Sequence, residues 1–335
     1  MSNFSISTAI PESSWPTSLV AILFRKYCEP VFCLISLLGN SAVIIGMARV
    51  KQGLSKSVRF YYIVYAISEL LLVDGFFFTG DFLEVGIAYL VSDGKFFPIL
   101  TVDGTVWSCK LLLSLWLGSD CVAGFTLVCL GFERIIAVTW PLRAKAILTL
   151  RFSVIIEATL ILLSAIYLPL VVITYTIDQN YGCTYDFSLP FTQYFIYIEE
   201  AIPIINSFLS LSFSTYLIIK MVLLIRARRR ISSGGVISAL ELSNIATLVL
   251  LDVTRLVVYI PNGIVYIFLS FANLSSIAID GGFMFVLYQL ADLCSIFIQV
   301  PHSITFFIHF FRSGAFRKVL FGEFFEFLNG KSSKN

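Results

Sequence analysis

Charged residues are scarce in this sequence. Asp, Glu, Lys and Arg make up 13% of the 335 residues, whereas 58% are hydrophobic. An average soluble domain has about 25% charged and about 45–50% apolar residues, so this composition excludes an ordinary soluble globular protein. The formal net charge is only +2, which gives no indication of a nucleic-acid-binding surface, and we expect no nucleic-acid partner.

Histidine and closely spaced cysteine pairs are scarce as well. His302 and His309 are the only histidines, and none of the seven cysteines belongs to a CxxC motif. These counts argue against a histidine-rich metal centre, against most histidine-based acid-base catalysis and against a zinc or redox cysteine site. We therefore expect no metal, no cofactor and no catalytic residue.

Long apolar runs are abundant instead. A helix needs about 20 mainly apolar residues to cross a bilayer, and seven such runs occur in the chain. They cover residues 30–48, 60–80, 112–136, 152–173, 191–224, 245–271 and 282–311. The sequence therefore predicts an all-α membrane protein, with an extracellular N-terminus over residues 1–29 and a seven-transmembrane helix bundle over residues 30–311.

The last segment, residues 312–335, has a different pattern. Phe316, Leu320, Phe324 and Phe327 recur at three- and four-residue spacing, with charged residues between them. This spacing predicts a short amphipathic helix that lies on the cytoplasmic membrane surface, followed by a short tail. We expect membrane lipids to be partners of this segment and of the bundle.

Basic residues cluster in alternate loops. The loops after the first, third and fifth runs and the C-terminal tail are rich in Lys and Arg, whereas the loops after the fourth and sixth runs contain neither. Because short basic loops stay in the cytoplasm, we expect a plasma-membrane protein with its N-terminus outside and its C-terminus inside. The glycosylation sequons at Asn3 and Asn273 both fall on the predicted outer side.

The third apolar run carries the most specific pattern. Cys109 lies near its start, Glu133 and Arg134 lie near its end, and Pro141-Leu142 follows; the interval from Cys109 to Arg134 is 25 residues. This pattern resembles the rhodopsin-like (class A) G-protein-coupled receptors, in which a cysteine begins the third helix and an acid-Arg pair ends it.

Other residues extend the resemblance and also mark departures from it. Residues similar to the family's pattern in the other runs are Gly39, Asn40, Glu69, Pro203 and Pro261. The Asn-Pro-x-x-Tyr motif of the seventh helix is missing, Tyr259 stands in place of a tryptophan, and Arg255 stands in place of a phenylalanine. The eroded motifs and short loops are most similar to the divergent serpentine chemoreceptors of nematodes.

The resemblance implies a receptor that binds an extracellular small molecule or peptide and activates a heterotrimeric G protein, in chemosensation. It implies that Arg134 pairs with Glu133 and Glu241 at rest and is exposed when the sixth helix swings at Pro261. Pro141 and Leu142 would add an apolar contact for the G protein.

Cysteines and intramembrane acids provide further candidates. Cys109 and Cys183 lie in or beside outer loops that face an oxidising compartment, so they are the best disulfide pair. Ionisable groups inside a bilayer must be paired, hydrated or functional. We therefore expect a ligand cavity, which favours a cation, among six residues: Trp116, Asp120, Glu199, Glu200, Tyr259 and Asp292. An alternative is that these acids are paired, protonated or directed at lipid headgroups.

One ion pair is also expected within a helix. Asp252 and Arg255 are three residues apart and should pair on the sixth helix.

A ligand-gated channel or transporter of the seven-span type is the alternative function, because such proteins also contain intramembrane acids. The orientation distinguishes the two classes, since seven-span channels of the insect odorant type place the N-terminus inside.

Overall fold

The computed structural model describes residues 23–50, 54–83, 102, 104–178, 182–186, 188–230, 239–274, 281–312, 316, 317 and 319. Most of these residues are helical. The α-helices are Glu29–Arg49, Lys56–Leu70, Val106–Thr139, Pro141–Ile147, Leu150–Ser164, Tyr167–Thr174, Thr192–Arg230, Ala239–Leu274, Gly281–Phe297, Gln299–Ser303 and Thr305–Arg312. Phe24–Cys28 and Leu71–Phe82 are wider π-helical segments that continue two of these helices.

Within the described residues, seven helices are long and apolar enough to cross a membrane. We number them span 1 (Phe24–Arg49), span 2 (Lys56–Gly80), span 3 (Val106–Thr139), span 4 (Leu150–Thr174), span 5 (Tyr194–Leu223), span 6 (Ile245–Leu269) and span 7 (Gly282–Arg312). The predicted architecture of seven long apolar helices is confirmed. Span 3 is the most enclosed, with 56% of its most apolar window buried, and span 4 is the least, with 18%.

The start of span 3 is fixed by a capping box. The Thr105 hydroxyl accepts from the Ser108 N–H at 3.0 Å, and the Ser108 hydroxyl accepts from the Thr105 N–H at 2.9 Å. These two bonds satisfy N–H groups that a helix start otherwise leaves without partners. Cys109 is thereby held in the first turn of the central helix.

Prolines divide some spans and not others. Pro203 and Pro261 lie inside the continuous helices Thr192–Arg230 and Ala239–Leu274. Span 4 breaks after Ser164, five residues before Pro169, whose nitrogen carries no hydrogen to donate to the preceding turn. Span 7 is interrupted on both sides of Gln299–Ser303, the short helix that contains Pro301 and His302.

A two-stranded hairpin lies between spans 4 and 5. Its strands are Tyr175–Asp178 and Gly182–Tyr185, which pair antiparallel with Tyr175 opposite Tyr185. Cys183 of the second strand forms a disulfide with Cys109 of span 3. The predicted Cys109–Cys183 pairing is confirmed, and it joins the hairpin to the central helix.

The beginning of the C-terminal segment packs against the bundle. Phe316 is fully buried and its ring lies 6.1 Å from that of Phe306 in span 7. The Arg317 guanidinium donates to the carbonyls of Phe310 and Phe311, both at 2.7 Å, and so satisfies the last turn of span 7. Residues 320–327 of the predicted amphipathic helix lie outside the described residues.

The contact between span 1 and Phe316 leaves no room for a side chain at Gly46. A Cβ atom there would lie 2.4 Å from Cε2 of Phe316, whereas a Cβ atom at Gly118 of span 3 would have no neighbour within 4 Å. We expect Gly46→Leu to lower the free energy of unfolding by about 1–3 kcal/mol relative to Gly118→Leu, because it overpacks the core. Thermal unfolding of the detergent-solubilised variants measures this difference, and equal midpoints would contradict the contact.

Candidate functional site

An arginine lies at the centre of the bundle. Arg255 of span 6 is only 2% exposed. Its Nη2 donates to Oδ1 of Asp120 in span 3 at 2.7 Å, and its Nη1 donates to Oε1 of Glu69 in span 2 at 3.4 Å. Its guanidinium carbon lies 5.0 Å from the centre of the Tyr259 ring, at a distance suited to a cation–π contact. One side chain therefore connects three spans.

A histidine of span 7 also contacts these residues. Nδ1 of His302 is hydrogen-bonded to Oε2 of Glu69, and its Nε2 lies 2.9 Å from the Tyr259 hydroxyl. That hydroxyl donates to Oδ1 of Asp120 at 2.5 Å. We call Glu69, Asp120, Arg255, Tyr259 and His302 the ionic cluster. All five are buried, and together they join spans 2, 3, 6 and 7.

Irregular backbone positions two members of the ionic cluster. His302 lies in the short helix Gln299–Ser303, whose ends interrupt span 7. Its carbonyl accepts from the Asn40 amide of span 1 at 3.3 Å, and this amide also lies 3.1 Å from the Ser36 hydroxyl. Glu69 lies just before span 2 changes from α-helical to π-helical geometry at Leu71. Such irregular turns are common at functional sites in helices.

The ionic cluster pairs charged side chains that would be costly to bury singly in a membrane interior. A single Asp or Arg at the centre of a span costs about 2.5–3.5 kcal/mol on insertion scales. Removing one partner of a buried pair is costlier than never burying either, because an unpaired charge then remains. The ionic cluster is therefore a cooperative unit whose members depend on one another.

The predicted close pair between Asp252 and Arg255 is not formed, although the two charges still attract each other. Asp252 instead accepts from the hydroxyls of Ser210, at 2.5 Å, and Ser214, both in span 5. Three residues correspond to about 300° of helical rotation, so the two side chains diverge by roughly 60°. That divergence directs Asp252 to span 5 and Arg255 to spans 2 and 3.

A small polar gap lies beside the cluster, between spans 3, 5 and 6. The gap is too narrow to hold a water molecule. Its lining residues are Gly124, Leu127, Asn206, Ser207, Ser210, Asp252 and Arg255. Both polar atoms of the Asn206 amide and the Ser207 hydroxyl are buried there with no hydrogen-bond partner among the described residues. The gap therefore has unused hydrogen-bonding capacity next to Arg255.

The six residues predicted to form a ligand cavity lie in separate environments. Asp120 and Tyr259 are brought together within the ionic cluster. Trp116 stacks on Phe76, with ring centres 5.0 Å apart. Asp292 of span 7 pairs with Arg25 of span 1 at 2.8 Å. The alternative expectation, that intramembrane acids are paired, therefore describes Asp120 and Asp292 better than a shared ligand cavity does.

Glu199 and Glu200 lie in the first turns of span 5, beside the hairpin. Glu199 is buried, and Glu200 beside it is half-buried. The Tyr175 hydroxyl lies 3.1 Å from both oxygens of Glu199, and the Tyr185 hydroxyl donates to Oε2 at 3.1 Å. Burial and the nearby Glu199 carboxylate raise the pKa of both tyrosines well above its ordinary value. Both hydroxyls therefore remain protonated donors, and the hairpin is hydrogen-bonded to span 5.

The opposite end of span 3 contains Glu133 and Arg134. Glu133 accepts from the Ser57 hydroxyl of span 2, which also contacts Ser153 of span 4. Among the described residues Nη2 of Arg134 is buried without a hydrogen-bond partner. Glu133 and Arg134 attract each other electrostatically, but among the described residues no close ion pair joins them, because Glu133 is turned toward Ser57. The side chain of Glu241 lies outside the described residues, so its bridge to Arg134 stays a prediction.

The structure places the remaining predicted residues at several points of the chain. Pro141 and Leu142 begin the short helix Pro141–Ile147, and Leu142 is 87% exposed. Pro261 is exposed within span 6. Asn3 and the side chain of Asn273 lie outside the described residues. Among those that are described, no group of three or more His, Cys, Asp or Glu side chains is arranged to hold a metal ion.

The contacts of His302 with Glu69 and Tyr259 were missed by the sequence analysis, as was the polar gap at Asn206. Comparison with known proteins adds no identification: no protein family matches the sequence, and no curated protein matches it.

Proposed function

We propose that this protein is a seven-span receptor that binds an extracellular small molecule or peptide and activates a heterotrimeric G protein. The observation that carries the proposal is the composition of span 3. Cys109 near one end of this helix is bonded to the hairpin, and Arg134 near the other end has a buried Nη2 without a partner among the described residues. One central helix thus connects the disulfide-bonded hairpin to an arginine with one unpartnered nitrogen.

The outer end offers a place where a ligand acts. Tyr175 and Tyr185 of the hairpin donate to Glu199 of span 5. A ligand with hydrogen-bond donors would compete with these hydroxyls for the carboxylate and separate the hairpin from span 5. Ligand binding would thereby favour one of two helix packings, which is how a receptor shifts its populations.

The ionic cluster supplies the connection between the two ends. Arg255 holds span 6 to spans 2 and 3, and Tyr259 holds it to His302 of span 7. Loss of these contacts would free span 6 to swing at Pro261, the position where its helical hydrogen bonding is interrupted. The swing would open the cytoplasmic end near Arg134 to a G-protein helix.

Leu142 provides the sharpest test of coupling. It is 87% exposed on the short helix Pro141–Ile147, whereas Leu162 is 70% exposed on span 4. Burying a leucine in an interface is worth about 1.5 kcal/mol or more, which corresponds to roughly tenfold in affinity. We expect Leu142→Ala to weaken G-protein coupling about tenfold, and Leu162→Ala to leave it unchanged.

The measurement is nucleotide exchange on purified heterotrimeric G proteins added to nanodiscs that contain the full-length protein, with coupling read from the dependence on G-protein concentration. Arg134→Ala should reduce the ligand-independent exchange to the rate of empty nanodiscs. If wild-type protein does not accelerate exchange by any class of G protein, with or without screened ligands, the proposal is wrong.

A further inference from the structure

The ionic cluster contains more hydrogen bonds than its ordinary protons can form. Three hydrogen bonds join four side chains in a row, from Glu69 to His302, from His302 to Tyr259 and from Tyr259 to Asp120. Each bond needs one hydrogen. A neutral tyrosine supplies one, a neutral imidazole supplies one, and ionised carboxylates supply none. The row therefore lacks one hydrogen.

We propose that the ionic cluster is a proton-binding site and that His302 holds the bound proton as an imidazolium. The Tyr259 hydroxyl has a single hydrogen, which it donates to Asp120, so Nε2 of His302 must donate to the Tyr259 oxygen. Because Glu69 is paired with the Arg255 guanidinium as a carboxylate, Nδ1 must then donate to it. Both ring nitrogens are donors only in the protonated imidazole.

Charge balance supports the same count independently. Glu69 and Asp120 are two carboxylates opposite one guanidinium, Arg255, and all three are buried. With a neutral His302 the cluster keeps one uncompensated negative charge at the centre of the bundle. With an imidazolium the cluster is neutral, as a low-dielectric interior requires.

Apart from Arg255, the described groups around His302 include no cation. Span 1 faces it with the uncharged Asn40 and Ser36, and span 2 contributes Glu69, Tyr65 and, further out, Asp74. Beyond the cluster, Glu200 of span 5 interacts electrostatically with Asp120, and Asp252 of span 6 with Arg255. His309 lies two turns along span 7, with its ring against Tyr62. These neighbours add negative or neutral groups, so they favour the bound proton.

Release of the proton would change the packing of span 7. The Nδ1 lone pair would then face the Glu69 carboxylate, and one of the three hydrogen bonds would be lost. The contact between spans 2 and 7 is therefore expected to weaken as the pH rises. This consequence holds whether or not the protein couples to a G protein.

The two histidines of the chain make a direct test possible. Full-length protein labelled with [¹⁵N]histidine in nanodiscs gives ring-nitrogen signals from His302 and His309 alone, and a His309→Gln variant identifies those of His302. Near neutral pH we expect wild-type His302 to show two protonated nitrogens. A neutral His302 in the folded wild-type protein from about pH 5 to about pH 9, the range around an ordinary histidine titration, would overturn the proposal.

Two substitutions should remove the extra proton and leave opposite tautomers. In Glu69→Gln the new amide donates to Nδ1, so His302 becomes neutral with its hydrogen on Nε2. In Asp120→Asn the new amide donates to Tyr259, Tyr259 donates to Nε2, and the hydrogen of His302 moves to Nδ1. The matched control Asp292→Asn, in an acid that pairs with Arg25 elsewhere on span 7, should leave the imidazolium signals unchanged. The same tautomer in both cluster variants would contradict the hydrogen-bond order.

Discussion

Replacing Arg255 with methionine is expected to lower the free energy of unfolding by about 3–5 kcal/mol, the usual cost of leaving a buried charge without its partner. Methionine fills a similar volume, so the loss would be electrostatic. Glu69 and Asp120 would remain opposite each other with no guanidinium between them. Thermal unfolding of the purified protein in detergent and the amount that reaches the cell surface both measure the effect.

Two further variants separate this effect from a general loss of packing. Adding Glu69→Gln and Asp120→Asn to Arg255→Met removes the unpaired charges and should recover most of the stability. Arg25→Met removes an arginine whose pair with Asp292 is partly exposed, so it should cost about 1 kcal/mol or less. Equal losses for Arg255→Met and Arg25→Met, without recovery in the triple variant, would show that the cluster does not act as a charge-balanced unit.

Replacing both Cys109 and Cys183 with serine is expected to cost about 2–5 kcal/mol, which is typical when a native disulfide is removed. The bond closes a loop of 74 residues between span 3 and the hairpin. Without the disulfide, the hairpin is still hydrogen-bonded to the bundle through the contacts of Tyr175 and Tyr185 with Glu199. Thermal unfolding midpoints of the variant and of reduced wild-type protein should coincide.

Cys28→Ser is the matched control for the disulfide variant, because Cys28 is a free, half-buried cysteine. It should leave the midpoint nearly unchanged, with and without a reducing agent. A double variant as stable as Cys28→Ser would mean that the disulfide does not hold the hairpin in place.

The spans and the disulfide were predictable because each depends on a property that is local in sequence. Hydropathy alone identifies a run such as 152–173, since a bilayer accepts about 20 apolar residues in any order. The Cys109–Cys183 pair followed from compartment and loop position, because the other cysteines lie within spans or near the start of span 1. Helix ends were less predictable: span 3 begins at Val106 because Thr105 and Ser108 form a capping box, which hydropathy does not register.

The ionic cluster was not predictable to the same degree, because its contacts depend on how the helices are rotated against each other. His302 and Glu69 are 233 residues apart, and no periodicity connects them. Asp252 was expected to reach Arg255, but the rotation of span 6 directs it to Ser210 and Ser214. A count of intramembrane charges would have helped. Arg255 is a base at the centre of a span, so it must find acids on other spans.

The same limit applies to the end of span 3 that contains Glu133 and Arg134. The resemblance pairs Glu133 with Arg134, but the Ser57 hydroxyl, which also contacts Ser153, holds Glu133 instead. Small hydroxyl residues on neighbouring spans give no signal in a hydropathy profile. Phe316 illustrates the opposite case, since its large apolar side chain was expected at the membrane surface and is buried against Gly46.

The orientation of the chain tests the receptor proposal most directly. Tags placed in turn at each terminus of the full-length protein, read by antibody access in intact and in permeabilised cells, should show an outside N-terminus and an inside C-terminus. A glycosidase-sensitive mass shift should disappear when Asn3 and Asn273 are replaced by glutamine. An inside N-terminus would place Arg134 and Leu142 outside the cell, which would contradict coupling to a G protein and favour a ligand-gated channel.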